Sequence, residues 1–593
     1  MRFHSLFLKV LIWRRRHVSD KNFVLLLSGV IGIVAGLAAV LLKTVVGFIH
    51  HIIEHARQEA SNVDLLYFLF PLVGIILTVV VTNHFIKDKL GHGITGILLS
   101  ISKESAIIKA SRMYSRMITS AITVGLGGSV GLEAPIVVTG SAIGSNIARA
   151  MQLNYQRRSL LIGAGAAGAI SAIFNSPITG VIFSIEIILT DVTIAALTPL
   201  LIASVCGALV SFVLLGEGVL LFFNLTDTFS ASDVPFYLLL GILCGLTSLY
   251  FTRTMFKVEG FLEQTKNTYT KAILGGLGLS LIIFVLPPVY GEGYEAITNL
   301  LSGNGNQLIN DNLLINQNTH TIFFYLFLLA LILVKPIATA ITIGAGGSGG
   351  IFAPSLFIGA ITGYLYAQIV NSVALNKLIS PSNFTLVGMC GIMSGVLHAP
   401  LTSIFLIAEI TSGYTLFVPL MIVSAISYIT ITYFEKHSFY TKRLVEKGNY
   451  FQSDRDSRVL SLIHLKKIIE TDLLEVSPSA TLDDMVELIR HSKRNIFPVV
   501  SDEQELKGIV TLDDVREVMF DVQKRKSTLI KSIMHDPPES VSTMETMPSV
   551  MSKFERTGAW NLPVIDDGKY IGFVSKSRIF NAYRKQLIKQ SQS

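Results

Sequence analysis

The sequence predicts an all-α polytopic membrane domain made of two repeated halves, followed by a small α/β domain that is itself duplicated. Three observations predict it: a low charge content concentrated near the C-terminus, a glycine–proline motif that occurs twice before residue 435, and a helix–strand–strand–helix order that occurs twice after residue 465. Of the 593 residues, 51% are hydrophobic and 15% charged, whereas soluble domains carry roughly 25% charge. Lys and Arg outnumber Asp and Glu by 48 to 41, a net +7. Outside Arg14, Arg15 and Arg16 that excess is spread along the chain, which argues against the clustered basic stripe of a nucleic-acid binder. Cys206, Cys244 and Cys390 lie in apolar surroundings without C-x-x-C spacing, which argues against a disulfide framework and a zinc site.

Residues 1–22 form an N-terminal segment whose Arg14, Arg15 and Arg16 place it in the cytoplasm by the positive-inside rule. The apolar run from about Phe23 to Ile49 is too long for a signal-peptide core, so it is read as a retained span. Further candidate spans lie near 65–86, 196–222, 235–255, 272–290, 321–343 and 415–434. Shorter glycine-rich pieces fill 112–150, 159–189, 353–372 and 384–412; these predict broken, tilted or re-entrant helices. The charged C-terminal domain is expected on the same side as the N-terminus, hence an even number of crossings. The membrane domain covers 23–445, with repeats of about 23–222 and 235–445.

The repeat rests on two motifs. Gly125 to Pro135 reads Gly-Leu-Gly-Gly-Ser-Val-Gly-Leu-Glu-Ala-Pro, and Gly344 to Pro354 reads Gly-Ala-Gly-Gly-Ser-Gly-Gly-Ile-Phe-Ala-Pro. Downstream, Phe174 to Glu186 matches Leu397 to Glu409, with proline (Pro177, Pro400) nine residues before glutamate in both. Packing of Gly-x-x-x-Gly helices would explain the glycines but not the matched prolines and glutamates. Repeated halves with Gly/Pro-interrupted segments point to a transport site near the bilayer midplane.

Each copy of the first motif (Gly131 to Pro135, Gly350 to Pro354) places glycine and then proline at a helix start. Proline costs nothing in a first turn, and glycine lets backbone approach a ligand. The free N–H groups and positive dipole end then point at whatever lies before the helix. Two such starts facing each other make an anion site without lysine or arginine. Dehydrating a small anion costs on the order of 20 kcal/mol by Born estimates; partial charges offset that cost without trapping the ion. The copies differ where the first has Glu133 and the second Phe352. Ionised, Glu133 competes with the anion; protonated or swung away, it clears the path. A helix-capping role is the alternative.

These paired motifs, in this order, resemble the CLC chloride channel and transporter family over about residues 20–445. The resemblance implies a homodimer with one pore per subunit, each made of many tilted helices in two inverted halves. It assigns Glu133 as the gating glutamate, the main-chain N–H groups of Ile351 and Phe352 as holders of the central anion, and Tyr440 as the hydroxyl that closes the inner side. Read from the residues alone, Tyr440 is an interfacial aromatic. The family's Gly-Ser-Gly-Ile-Pro segment reads Gly-His-Gly-Ile-Thr here, so His92 stands in place of the anion-contacting serine, with the N–H groups of Gly93 and Ile94 beside it. A histidine titrates near 6.5 unperturbed, so a proton-sensitive anion donor and a packed helix-start histidine are both open. Relatives that couple chloride to protons carry an inner glutamate one position after Glu186. Here that position is Ile187, which implies uncoupled, channel-like conduction. Glu186 and Glu409 are read as structural because both repeats carry them, and Lys335 as snorkelling or paired near a helix end.

After a linker at 446–466 the composition turns mixed and charged. Helix Thr481–Arg490, strands Phe497–Val500 and Leu506–Val510 and helix Leu512–Phe520 are followed by helix Met547–Arg556, strands Leu562–Ile565 and Tyr570–Val574 and a helix from Ser577. The duplicated order resembles a pair of CBS domains, at 467–525 and 526–593. Each copy alone has a small core, so the two are expected to pair. The resemblance implies an adenine nucleotide between the copies, with Thr511 on phosphate, Asp514 on ribose and Ser575 in the second copy. There Arg578 replaces the aspartate, which limits the pair to one competent site. A purely structural pair, with Thr511 and Asp514 capping a helix, is the alternative.

The expectation is therefore anion conduction, chloride first, across a cell membrane, with no cofactor required, no metal and no enzymatic chemistry. A proton antiporter, or a transporter of fluoride or nitrate, is the alternative within the family. A CBS-containing cation transporter would need carboxylates or carbonyls around a hard cation. An intramembrane enzyme would need a motif such as His-Glu-x-x-His, which the sequence lacks.

Overall fold

Charge and hydropathy divide the sequence near residue 450, and the fold divides there too. The computed structural model describes residues 17–59, 69–87, 93–103, 105–189, 194–216, 229–305, 307–310, 321–373, 378–411, 414–446, 460 and 463–592. It separates into two compact units, Met1–Tyr450 and Phe451–Ser593. Arg14 to Arg16, His92 and most of the 446–466 linker lie outside the described residues.

The regular elements of the first unit are helices: α1 (Asp20–Glu59), α2 (Phe70–Val81), α3 (Gly93–Ser102), α4 (Ser115–Gly125), α5 (Glu133–Ala150), α6 (Tyr155–Phe174), α7 (Pro177–Phe183) and α8 (Ile194–Leu215), then α9 (Val234–Glu263), α10 (Thr268–Val285), α11 (Tyr294–Leu301), α12 (Thr321–Gly344), α13 (Phe352–Val373), α14 (Pro381–Leu397), α15 (Pro400–Ile410), α16 (Phe417–Phe434) and α17 (Phe439–Glu446). Among the described residues seven helices are long and apolar enough to cross a membrane: Asp20–His55, Ile194–Leu215, Ala231–Glu263, Thr268–Val285, Ile322–Gly344, Phe352–Val373 and Phe417–Glu446. Their outer faces carry exposed apolar side chains such as Leu26, Leu239, Ile322 and Ile429, a surface suited to lipid rather than water.

Three expected segments differ. The piece at 353–372, expected to be short, is the 22-residue helix α13, because its glycines pack against a neighbour instead of breaking the helix. The expected span at 65–86 is the 12-residue helix α2 and a π-helical turn, Thr82–Ile86. The span at 272–290 stops at Val285, and Pro287 and Pro288 form a tight 3₁₀ turn, since proline cannot extend the ladder.

The order α4–α5–α6–α7 recurs as α12–α13–α14–α15. Helices α6 and α14 both end on a left-handed residue, Asn175 (φ 55°) and His398 (φ 53°), before Pro177 and Pro400 open the next helix. Small residues bring α5 onto α6 and α13 onto α14: a Cβ on Gly165 would lie 1.9 Å from the Gly140 carbonyl oxygen, and one on Gly363 1.9 Å from that of Phe384. Glycine packing and the paired motifs therefore coexist.

The second unit contains α18 (Leu482–His491), β1 (Ile496–Val500), β2 (Leu506–Thr511) and α19 (Leu512–Val515), then α20 (Met547–Thr557), β3 (Asn561–Asp566), β4 (Lys569–Ser575) and α21 (Lys576–Gln592). β1 pairs antiparallel with β2, Pro498 opposite Ile509, and β3 with β4, Pro563 opposite Phe573. A parallel bridge extends each pair at the same place, Val476 to Val499 and Val541 to Val564. The copies join through Glu470 and Phe573, which bridge the N-terminal lead-in to β4. Helix α19 is shorter than the expected Leu512–Phe520. Asp521 accepts from the N–H groups of Gln523 and Lys524 (3.0 and 3.2 Å) and starts a separate short helix.

Candidate functional site: two facing helix starts

The glycine loops that precede α5 and α13 meet. Gly131 donates to the Gly350 carbonyl (2.9 Å) and Gly350 to that of Gly131 (2.8 Å). Around this bridge the contacts come in reciprocal pairs: the Ser129 N–H donates to Thr342 Oγ1 (3.3 Å) and the Ser348 N–H to Thr123 Oγ1 (3.0 Å). Such exchange between equivalent residues is what a two-fold axis relating inverted halves produces. It aims the N-termini of α5 and α13 into one region.

A cavity of about 30 Å³ opens there. Its lining brings together Gly93 and Ile94 at the start of α3, Pro135 of α5, Gly350 and Ile351 of the second motif, and Tyr440 of α17. These residues were expected at one site from four separate stretches of sequence. The Tyr440 hydroxyl is buried and has no hydrogen-bond partner among the described residues, while Thr95 Oγ1 fixes its main chain by donating to the Tyr440 carbonyl (3.2 Å). Phe352 is buried with its ring on Phe174 (centroids 5.5 Å apart) and Phe183 (6.2 Å). Pro354, two residues further on, is fully inside α13. Arg116, buried and absent from the sequence-based set, also lines the cavity.

Glu133 is 1% exposed at the first residue of α5. Its Oε1 accepts from the Tyr294 hydroxyl at 2.5 Å. Its Oε2 is buried with no hydrogen-bond partner among the described residues. A Cβ on Gly131 would come within 2.0 Å of that oxygen, so only glycine leaves the carboxylate its seat. The Leu132 N–H, just before α5, donates to Glu292 Oε1 (3.1 Å).

Glu186 and Glu409 lie apart from this cavity and cap each other's repeat. Glu186 accepts from the N–H groups of Leu401 (3.1 Å) and Thr402 (2.8 Å) and from Thr402 Oγ1 (2.6 Å). Glu409 accepts from Ile178 (2.9 Å), Thr179 (2.7 Å) and Thr179 Oγ1 (2.6 Å). Each carboxylate thus fills the N-terminus of a short helix, α15 or α7, where both dipole and free donors favour an anion. Ile187 follows Glu186 in a π-helical turn, Ser184–Ile188, and packs against the main apolar core.

Lys335 does not snorkel. It is fully buried in α12, donates to the carbonyls of Val289 and Gly291 (3.0 Å each), and lies 4.7 Å from the centre of the Phe357 ring. The carbonyls freed by the proline turn at 287–288 supply its partners. Glu292 and Tyr294, which reach Leu132 and Glu133, were not singled out from the sequence. The signal was present, because an acid inside a membrane domain is a functional candidate by default.

In the second unit Thr511 and Asp514 form a capping box: the N–H and Oγ1 of Thr511 both donate to Asp514 Oδ2 (2.7 Å each). Ser575 donates to Glu470 Oε1 (2.6 Å), and Glu470 Oε2 pairs with Arg494 (2.7 Å).

The family model for the voltage gated chloride channel matches residues 73–432, and the CBS domain model matches residues 465–521 and 530–585. The chain is 27% identical over 502 residues to chloride channel protein CLC-f of Arabidopsis thaliana, covering 75% of this chain and 62% of the plant protein. It is 25% identical over 418 residues to the H(+)/Cl(-) exchange transporter ClcA of Vibrio cholerae, covering 68% of this chain and 84% of that protein. The crystal structure of a eukaryotic CLC transporter superposes with a TM-score of 0.62 at 18% identity, over 94% of this chain and 99% of that one. With facing helix starts, inverted halves and a family match over most of the membrane unit, this chain belongs to the voltage gated chloride channel family, multi-pass membrane proteins that transport anions, and carries a C-terminal pair of CBS domains.

Proposed function

We propose that this protein conducts chloride passively through a pore in which Glu133 is the gate. The observation that carries this reading is the place of the Glu133 carboxylate, buried at the first residue of α5 where the Gly131–Gly350 bridge brings the starts of α5 and α13 together. That position suits an anion, and the side chain fills it with a charge of the same sign. Protonation removes the charge and with it the reason to stay, so a proton exchanges the gate for chloride. The buried, unpartnered Tyr440 hydroxyl offers a donor to an anion in the neighbouring cavity, beside the N–H groups of Gly93, Ile94, Ile351 and Phe352. His92 is a further donor candidate from the sequence.

Uncoupled conduction follows from Ile187, an apolar residue where a proton acceptor would have to stand. The second reading is chloride/proton exchange, which the Vibrio cholerae relative's name favours; fluoride or nitrate as cargo belongs to the same test. The functional unit is a homodimer with a pore in each subunit, in the plasma membrane, with both termini in the cytoplasm. The CBS pair regulates it, with an adenine nucleotide at Thr511 and Asp514 as the ligand.

Purified protein in liposomes with an outward chloride gradient and a pH electrode tests the reading. Chloride efflux with no uphill proton movement is expected. Protons driven uphill by chloride would replace the uncoupled reading with exchange, and the same vesicles loaded with fluoride, nitrate or bromide rank the anions.

A further inference from the structure

The turn between α10 and α11 belongs to the second repeat, yet it is built onto the first. Ser129 Oγ donates to the Val289 carbonyl (2.8 Å), the Gly291 N–H donates to Gly127 (3.2 Å), and Lys335 holds the carbonyls of Val289 and Gly291. A main chain fixed at these points can place side chains reproducibly. Two of them reach the start of α5. Glu292 Oε1 accepts from the Leu132 N–H at 3.1 Å, and the Tyr294 hydroxyl donates to Glu133 Oε1 at 2.5 Å. Consecutive residues of the gate motif are therefore held by two side chains from the opposite repeat.

We propose that Tyr294 and Glu292 are positioning residues that set the proton sensitivity of the Glu133 gate in opposite directions. This rests on the reading of Glu133 as the gate. A hydroxyl that donates to a carboxylate stabilises the ionised form, so Tyr294 keeps Glu133 charged and seated. A second carboxylate at the same helix start opposes that charge, so Glu292 favours the proton and release. The other groups facing Glu133 are Lys43 of α1 and Tyr440 of α17, while Lys335 faces Glu292. Arg116 lines the cavity next to Ala134 and Pro135. All of these remain in place in the variants below.

The test is chloride efflux from liposomes holding the full chain, measured across pH. Efflux rises as pH falls, and its midpoint is the readout. Tyr294→Phe is expected to move the midpoint to higher pH by about one unit, the worth of a hydrogen bond to a charged group. Glu292→Gln keeps an oxygen for the Leu132 N–H but loses the charge, and is expected to move the midpoint to lower pH. General loosening of the turn would not shift two neighbours in opposite directions. In a Glu133→Gln background both substitutions are expected to be silent. A Tyr294→Phe midpoint equal to the parent's, or a shift that survives in Glu133→Gln, overturns the positioning role and leaves the gate standing. Parent-like efflux and pH dependence in Glu133→Gln itself overturns the gate and this inference together. If Tyr294→Phe does not assemble, Glu292→Gln decides alone: a midpoint unmoved or raised overturns the proposal.

Discussion

Gly131 and Gly350 exchange both main-chain hydrogen bonds, at 2.9 and 2.8 Å. The two repeats thereby meet through peptide groups in the middle of the membrane unit, where an unpaired N–H or C=O would cost several kcal/mol. The bridge satisfies its own polar groups and brings together the first turns of α5 and α13, which begin at Glu133 and Phe352. A Cβ at Gly131 would displace the Glu133 carboxylate, 2.0 Å away, and one at Gly350 would lie 2.8 Å from the Ala134 Cβ.

Glu133→Gln removes the charge that contests the seat while keeping its shape. Chloride efflux near neutral pH is expected to rise about tenfold or more, the rate equivalent of losing a charge-assisted contact. The increase of efflux with falling pH should vanish, because no carboxylate remains to be protonated. Efflux across a pH series measures both, and a retained pH dependence would remove Glu133 from the gate.

Replacing Glu186 or Glu409 with alanine leaves two main-chain donors of α15 or α7 without their acceptor. The expected cost is about 1–3 kcal/mol for each unsatisfied group, seen as a lower unfolding temperature in detergent. Glutamine, which can still accept, should lose less. Neither change should move the pH midpoint of efflux; a shift would mean that these carboxylates carry protons.

Arg443 of α17 pairs with Glu259 of α9, both buried, and its guanidinium lies 4.9 Å from the Phe256 ring centre and 5.2 Å from that of Phe439. This pair anchors the helix that carries Tyr440. Arg443→Met strands a buried carboxylate and should cost about 3–5 kcal/mol. The double variant Arg443→Met with Glu259→Met should recover most of that loss, since well-packed apolar groups can replace a buried pair. Thermal unfolding of the three variants gives the coupling, and an additive double variant would deny that the two act as a pair.

Titration of the full chain with ATP, ADP and AMP checks the CBS pair. Thr511→Ala should abolish nucleotide binding and, as loss of a helix cap, cost about 1 kcal/mol. Absence of heat with all three nucleotides would make the pair purely structural.

Much of the site was legible along the chain because its donors are backbone groups, and glycine and proline at fixed spacing announce where backbone is freed. Gly131, Pro135, Gly350 and Pro354 could be marked for that reason, and Glu133 because an acid there breaks the symmetry of the repeat. Tyr294 gave no such signal: a tyrosine after Gly-Glu-Gly fits any helix start, and its hydroxyl matters only because the proline turn sets it against the other repeat. Lys335 misled for the opposite reason. A lone lysine in an apolar run is expected to reach for water, whereas the same turn supplies it with carbonyls.

The sequence by itself determined the membrane class, the duplicated halves, the charged second unit and the residues that open the pore helices, because hydropathy and glycine–proline spacing are local properties. Tertiary structure alone decided that Gly131 lies against Gly350, that Glu186 and Glu409 cap each other's repeat, and that Tyr294 holds Glu133. Each of these joins residues more than 150 positions apart, and no local preference records which distant donor will satisfy a buried acceptor.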